Sequence, residues 1–566
     1  MDFNIASTGI STAQKNINVL SNNIANETTE GYRTQTLQTE ESISLQKNGF
    51  FQGTGTKSGT IVQNVDTIIY NNMLSQIGDK SYSETLVTYG KSIENLFQDN
   101  NNIGLNTQLE EVYQNAINLK NDTENQALSG IFLDSLSILT KNINDLDSSL
   151  KNIKSDITSS IKSDIEELNS DLKDLQKIEK SLSISFKPEL ADKKAILEQS
   201  ISSKIDAEFN YDLEGNYYVM IGNNRVLDKS NINEITFDEN KNTININNTD
   251  ITNNISKGSI SAKANLSISK NNEIDKNIYK LNLYSNSIIE NMNDIYSEKP
   301  FENINSVNIK SEEFEKEKLL DVKELKGLKP GDITIKLHTD PIEEIKVNIN
   351  HDTTFESLKQ EIEEKSNNKI KVDISHNSFN IISEEYPAQI IDDENTNFNK
   401  VMGYNKLLSG DNSSNISVNE TLLKNPEQFI ISNDKLEDNA NYDMLDKLSD
   451  LKYKEVDYKS IEEYQNYFNN ENFNPSNTTL KNIENSTISD FYLSISMDVS
   501  KTVYNNEAKQ EIQNAIYQTT LNQYEEDTKV NKDEELVKLM EYQSAYSANA
   551  KVISAMNEMF DTILKM

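Results

Sequence analysis

The sequence predicts a multidomain α + β protein whose terminal helices pair as an α-helical coiled coil. Three observations indicate this class. Apolar residues recur at alternating spacings of three and four at both ends of the chain, and a long helical pattern without proline follows the first of them. The middle of the chain instead alternates apolar and polar residues, as strands do. With 566 residues, the chain has room for about three or four domains.

The two terminal segments each carry a single apolar seam. The first seam consists of Phe3, Ala6, Ile10, Ala13, Ile17, Leu20 and Ile24. The last seam consists of Leu539, Tyr542, Tyr546, Asn549, Ile553, Met556, Phe560 and Ile563, with one polar member. Asn26, Thr28 and Gly31 mark the end of the first helix. Carboxylates at 533–535 lie where the dipole of the last helix favours negative charge.

One isolated helix cannot bury so narrow a stripe. Two interpretations remain open from the pattern alone: each stripe packs on its own domain, or the two helices pack with each other and with copies from other subunits. We expect segments 1–34 and 531–566 to form one terminal coiled-coil domain. The residues expected to carry subunit packing are Ile10, Ile17, Leu20, Ile24, Leu539, Tyr546, Ile553 and Phe560.

A helical pattern occupies residues 66–185, and its longest apolar run extends from Ile143 to Ile178 without proline. Pro188 begins another helix to about residue 206, and further helices are predicted over 271–296 and from Ile488 onward. We therefore expect segments 35–206, 271–300 and 488–530 to form one elongated helical domain, with the last helical region returning the chain to the region that begins at residue 66.

The interior of the chain predicts three further segments. Phe209 to Ile221 reads as a β-hairpin around Gly215, and alternation to about Ile268 predicts a β-rich domain over 207–270. Segment 317–410 has a β-β-α-β-β order and predicts a small inserted α + β domain, which we expect to face solvent without a catalytic role. Segment 411–487 predicts an irregular connection with a short helix over 461–468.

The composition excludes several classes of function. The formal net charge is −36, which argues against binding to nucleic acid or to an anionic membrane. The chain contains no cysteine, and its three histidines lack metal-ligand spacing. Residues 53–59 are rich in Gly and Thr but match no phosphate-binding template. We therefore predict no enzyme activity and no catalytic, cofactor-binding or metal-binding residue.

Targeting signals are also missing from the pattern. No apolar run approaches the length of a membrane span, and the N-terminus shows neither a basic leader nor an apolar core. We expect no cleaved secretory signal, so an extracellular role would require another export route.

Both termini contain recognisable motifs. Residues 20–26 read Leu-Ser-Asn-Asn-Ile-Ala-Asn and are followed by Gly31 and Tyr32, and residues 542–553 read Tyr-Gln-Ser-Ala-Tyr-Ser-Ala-Asn-Ala-Lys-Val-Ile. The two motifs resemble the opposite ends of the bacterial flagellar axial proteins of rod, hook and hook–filament junction. The chain length, the 530–546 pattern and the long helical region are most similar to the hook-associated protein 1 family.

The resemblance implies a structural, non-enzymatic protein that joins the flagellar hook to the filament. It further implies uncleaved export in an unfolded state through the flagellar type III apparatus, and an extracellular location in the flagellum. The implied partners are copies of the chain itself, hook protein, hook-associated protein 3 and a cytosolic export chaperone at the C-terminal helix. Two alternatives remain: a hook or distal rod protein of the same family, or a secreted surface adhesin that uses residues 201–490.

Overall fold

The structure is a computed structural model. It describes residues 3–29, 31–47, 50–98, 104–123, 125–229, 231–270, 272–297, 299–301, 303–304, 316–322, 325, 327–375, 378–393, 395–404, 406–429, 443–458 and 485–565. The short helix predicted over 461–468 lies outside these residues. Where the chain is described, it combines long helices with several small antiparallel sheets, which confirms the multidomain α + β class.

The helices of the described residues are α1 (Phe3–Ala25), α2 (Thr67–Phe97), α3 (Leu105–Asn121), α4 (Gln126–Ile184), α5 (Pro188–Lys204), α6 (Gly258–Ser267), α7 (Glu273–Ser297), α8 (Phe355–Lys365), α9 (Phe398–Met402), α10 (Glu420–Lys424), α11 (Asp443–Asp450), α12 (Ile488–Thr528) and α13 (Lys532–Lys565). The helices predicted over 3–24, 188–206 and 271–296 and from Ile488 onward are confirmed. So is the long helix through 143–178, which is part of the 59-residue α4.

The strands are β1 (Gln35–Glu41), β2 (Leu45–Lys47), β3 (Phe50–Gln52), β4 (Thr56–Gln63), β5 (Ala207–Tyr211), β6 (Tyr217–Ile221), β7 (Asn224–Leu227), β8 (Ile235–Asp238), β9 (Thr243–Ile246), β10 (Thr249–Asp250), β11 (Asn303–Ile304), β12 (Gly331–Leu337), β13 (Glu343–Ile349), β14 (Lys371–Ser375), β15 (Ser378–Ile382), β16 (Ala388–Asp392), β17 (Leu408–Ser409) and β18 (Ser417–Val418). The chain divides into a first unit of residues 1–89, 156–272 and 503–566 and a second unit of residues 90–155 and 273–502. The exact borders of the five predicted segments stay predictions.

In the first unit, α2, α5 and α12 pack around one apolar cluster. Its buried members are Tyr70, Met73, Leu74, Ala195 and Tyr524. The rings of Tyr70 and Tyr524 lie 5.6 Å apart between centroids. The contact joins α2 to α12, and the predicted grouping of the helical segments into one domain stays a prediction.

The predicted hairpin at 209–221 is confirmed. Strands β5 and β6 pair antiparallel with Phe209 opposite Val219. Glu198 of α5 ties this hairpin to the helices, because its buried carboxylate accepts hydrogen bonds from Tyr70 Oη at 2.6 Å and from Tyr217 Oη at 2.5 Å.

The prediction of alternating strands as far as Ile268 is wrong, because residues 258–267 form helix α6. The segment is buried on nearly every side, so its apolar residues need not follow a helical period. Gly258 begins the helix at φ +84°, and a Cβ there would lie 2.4 Å from the backbone nitrogen of Ile205. Only glycine permits this close approach of α6 to the end of α5.

Residues 35–41, 45–47, 50–52 and 56–63 form strands that the sequence did not predict. Strands β1 and β4 pair antiparallel, with an irregularity between Leu37 and Thr39. This hairpin lies along α1: Thr12 Oγ1 and Thr56 Oγ1 are 3.1 Å apart, and Lys15 Nζ donates to Ser58 Oγ at 2.6 Å. A Cβ at Gly55 would lie 2.2 Å from Thr8 Oγ1, so glycine is required where the hairpin meets the helix.

The second unit contains the predicted small α + β module. Strands β12 and β13, helix α8 and strands β14 and β15 follow in the predicted β-β-α-β-β order. The module also contains β16 and α9, which were not predicted. Strand β16 joins β12, and it gave no alternating signal because three consecutive residues, Ala388 to Ile390, are buried.

Side chains of α8 bond to one edge strand of each of the two sheets in this module. Strand β13 lies at one edge, and its Lys346 carbonyl accepts a hydrogen bond from Lys365 Nζ at 2.6 Å. Strand β14 lies at another edge, and its Val372 amide donates to Glu363 Oε1 at 2.9 Å. These bonds satisfy backbone groups that would otherwise be open to pairing with another strand.

Candidate functional site

Helices α1 and α13 pack along each other in the first unit. Gly9 lies beside Asn549, since a Cβ at residue 9 would be 2.9 Å from the Asn549 amide, and Asn23 Nδ2 donates to Glu535 Oε2 at 2.7 Å. The two contacts are 14 residues apart on each helix, from 9 to 23 and from 535 to 549, in opposite directions. The pair is therefore antiparallel and in constant register. The predicted pairing of the first and last helices with each other is present.

The eight seam residues differ in how much of each is covered within one chain. Leu20 is buried, and Ile10, Ile17, Ile24, Leu539 and Ile553 are half-buried. Tyr546 and Phe560 are exposed. The pairing therefore leaves part of both seams open, and the role of these eight residues between subunits stays a prediction.

Asn23 is the centre of a polar cluster at the end of α1, and its side chain is fully buried. Its Nδ2 donates to the Gln35 carbonyl at 2.9 Å as well as to Glu535, and its Oδ1 accepts from the Gln35 amide at 3.1 Å and from Tyr32 Oη at 2.8 Å. All four hydrogen-bonding positions of the side chain are satisfied. Asn23 thus joins α1, β1 and α13 at one point.

Glu535 brings a buried carboxylate to this cluster from the first turn of α13. Three features compensate its charge: the Asn23 amide, the positive end of the α13 dipole, and Lys538 Nζ at 3.2 Å. A buried carboxylate needs such partners because desolvation alone would cost several kcal/mol. We call Asn23, Tyr32, Gln35 and Glu535 the hub.

Residues 33 and 34 extend the hub to two further helices. Arg33 Nε donates to Asp192 Oδ1 at 3.0 Å, and its guanidinium also bonds the Ala191 carbonyl, both on α5. Gln63 Nε2 donates to the same Asp192 oxygen at 2.8 Å. Thr34 bonds the last residue of α12, since the Thr528 carbonyl accepts from its amide at 2.8 Å and from its hydroxyl at 2.9 Å.

Burial dominates the electrostatics around the hub. It raises the pKa of Asp192, although the Arg33 guanidinium and the Gln63 amide oppose this effect. Burial, together with the negative charges of Asp192 and Glu535, raises the pKa of Tyr32 to about 12. The Tyr32 hydroxyl therefore stays protonated at physiological pH and can donate to Asn23. Both groups make structural hydrogen bonds: Tyr32 donates to Asn23, and Asp192 accepts from Arg33.

The far end of the terminal pair is apolar and open. Met556 is buried, but beyond it Met559, Phe560, Ile563 and Leu564 are 52%, 56%, 65% and 82% exposed. In the register set by Gly9 and Asn549, Phe3 lies opposite about residue 555, so the last two turns of α13 extend past the start of α1. Phe3 and Ile5 are exposed beside them. We call residues 559–564 the free end of α13.

The described residues contain no group of three or more His, Asp or Glu side chains that could hold a metal ion. Every helix in the described part of the chain is too short or too polar to span a bilayer.

Family comparisons match three parts of the chain. Residues 3–33 match the family described as flagella basal body rod protein, and residues 521–566 match the flagellar basal body rod FlgEFG protein C-terminal family. Residues 91–298 match the helical domain of flagellar hook-associated protein FlgK. Together the three matches support the FlgK family. The two terminal matches contain both helices of the pair and most of the hub.

Two individual proteins are similar to the chain. Flagellar hook-associated protein 1 of Bacillus subtilis (strain 168) is 22% identical over 227 residues, which is 38% of this chain and 45% of that protein. The match thus spans less than half of the relative's length. The solved flagellar hook junction protein FlgK from Burkholderia pseudomallei covers 80% of this chain and 99% of its own, with a TM-score of 0.46 and 8% identity.

The hub was not among the predicted site residues. The seam pattern records apolar positions only, so it passes over Asn23 and Gln35, and the partner Glu535 lies 512 residues away from Asn23. Two signals nevertheless pointed to this place. Asn23 and Tyr32 are part of the terminal motif, and the carboxylates at 533–535 were expected to lie at a helix N-terminus.

Proposed function

We propose that this chain is a structural component of the bacterial flagellum that joins the hook to the filament and assembles through its terminal helices. The match of residues 91–298 to the FlgK helical domain carries the proposal, because the terminal matches alone are also typical of rod proteins. Nothing in the comparisons supports the adhesin alternative. We propose no catalytic role.

The free end of α13 supports assembly through the terminal helices. Four large apolar side chains lie exposed there, and burying each fully would contribute about 1.5–3 kcal/mol. Contiguous exposed apolar surface on a protein typically marks an interaction site. Copies of the chain in a tube wall would cover this surface, so assembly would complete the terminal core.

The proposed partners follow from this role. They are further copies of the chain, hook protein on one side, hook-associated protein 3 on the other, and a cytosolic chaperone that holds the C-terminal helix before export. An exported flagellar component fits two properties of the chain. The absence of cysteine avoids disulfide errors outside the cell, and the net charge of −36 favours solubility of the monomer.

Electron microscopy of a strain that lacks this gene tests the function, with flagellin assayed in the growth medium. We expect hooks without filaments and flagellin lost to the medium, with recovery when the gene is restored. Absence of hooks would assign the chain to hook or rod instead. Normal filaments would refute the junction role.

A further inference from the structure

A groove lies beside the hub in the first unit. It has a volume of about 540 Å³, within the range of ~300–1,000 Å³ that is common for binding pockets. The loop that follows α1 forms one wall, and α2, α5 and α12 form the others. Its apolar lining consists of Met73, Ala195, Ile196, Leu521, Tyr524 and Val530. Ile196 is 47% exposed in the groove, next to the site where Gly31 adopts φ +75°.

The groove and the free end of α13 lie at opposite ends of the terminal pair. The groove includes Val530, just before α13, whereas Phe560 of the free end lies 30 residues further along the chain. At 1.5 Å per residue, the two sites are separated by about 45 Å along the helix. A chain therefore cannot place its free end in its own groove, but a second copy can.

Charge does not oppose a second copy in the groove, in contrast to the rest of the surface. The net charge of −36 makes most of the surface repel another copy, and the free end contains Asp561 and directly follows Glu558. The charged residues that line the groove balance, since Glu27 and Glu525 are matched by Arg33 and Lys529. Lys532 lies next to Glu27, at 4.0 Å, and adds a cation at the start of α13.

We propose that the free end of α13 of one copy inserts Phe560 and Ile563 into the groove of a second copy. The inference rests on the proposed function and gives it a contact. The contact joins two different surfaces, so each copy still offers one groove and one free end after pairing. Such head-to-tail contacts close into a ring or continue as a helical array, depending on the rotation between copies.

Cysteine cross-linking tests the contact on a background that has no cysteine. The source bacterium, deleted for the gene, would express two single-cysteine full-length copies, Phe560→Cys and Ile196→Cys, and its isolated flagella would be oxidised. A disulfide requires Cα atoms within about 7 Å, so a dimer in the mixture reports the proposed contact. Ile184→Cys with Phe560→Cys is the matched control, because Ile184 is also exposed but does not line the groove.

We expect at least tenfold more dimer from the test pair than from the control pair or from Phe560→Cys alone. If Phe560→Cys alone gave as much dimer as the test pair, two free ends would contact each other symmetrically. That result would overturn the proposed head-to-tail contact. If Phe560→Cys does not assemble, Ile563→Cys with Lys529→Cys serves as the second pair. Filaments without the cross-link in both pairs overturn the docking contact alone, whereas normal filaments in the deletion strain overturn the junction role.

Discussion

Replacement of Asn23 by Ala is the most direct test of the hub. The change removes all four hydrogen bonds of a fully buried side chain. It leaves the Gln35 amide and carbonyl without their partner and takes one donor from the Glu535 carboxylate. Each buried group left unsatisfied costs about 1–3 kcal/mol. Tyr32 and Glu535 retain other contacts, so we expect a total loss of about 4 kcal/mol in the terminal pair.

Native-state hydrogen exchange of the full chain measures this loss locally. About 4 kcal/mol corresponds to a roughly thousandfold increase in the opening equilibrium, since 1.4 kcal/mol is tenfold. Peptides from α1 and α13 should lose protection, and peptides from the α + β module should not change. Asn18→Ala is the matched control, because Asn18 is an exposed residue of the same type on α1 whose amide oxygen accepts from the exposed Gln14 rather than from a hub residue, with an expected effect of about 0.5 kcal/mol or less.

The role of the hub would be refuted if the protection of α1 and α13 in Asn23→Ala and in Asn18→Ala agreed to within threefold. Such a result would mean that the apolar part of the α1–α13 contact determines the stability of the pair and that the four hydrogen bonds add little.

Three further predictions test other parts of the chain. Gly258→Ala should destabilise the first unit by more than about 2 kcal/mol, because φ is +84° and the new Cβ would clash with the backbone of Ile205. Urea unfolding measures this loss, and an unchanged midpoint would contradict the prediction. Leu20→Asp or Ile553→Asp should abolish incorporation into flagella while residues 66–530 stay folded; incorporation at the normal level would defeat the role assigned to the seams. Burial raises the pKa of Asp392 to about 6. The folded module therefore binds a proton more readily than the unfolded chain, and its stability should rise as pH falls from 7 towards 4. Urea midpoints measured across this range should depend less on pH in Asp392→Asn. An equally steep dependence in the variant would refute this assignment.

The sequence predicted the elements whose signal is local and periodic. The seams of α1 and α13, the run from Ile143 to Ile178 and the alternation around Gly215 each record one buried face, so their secondary structure was correct. Helix α6 was not predicted correctly because it is buried on nearly all sides, which removes the periodic contrast between faces.

The hub could not be predicted from the pattern because its energetics are pairwise and non-local. A single Asn such as Asn23 carries no sign that its amide meets a carboxylate from the other end of the chain. The exposure of Phe560 could not be predicted from the sequence either. Its spacing fits the seam, but the seam does not reveal that α13 is longer than α1 and leaves its last turns without a partner helix in the same chain.

The two bonds that α8 makes to strands β13 and β14 matter for a protein that we propose to assemble in many copies. In the proposed assembly, neighbouring copies would hold their α + β modules at about millimolar effective concentration, where open strand edges would pair across chains. Lys365 and Glu363 already occupy a carbonyl and an amide at those edges. These two backbone groups are therefore not free to pair with a strand of a neighbouring copy.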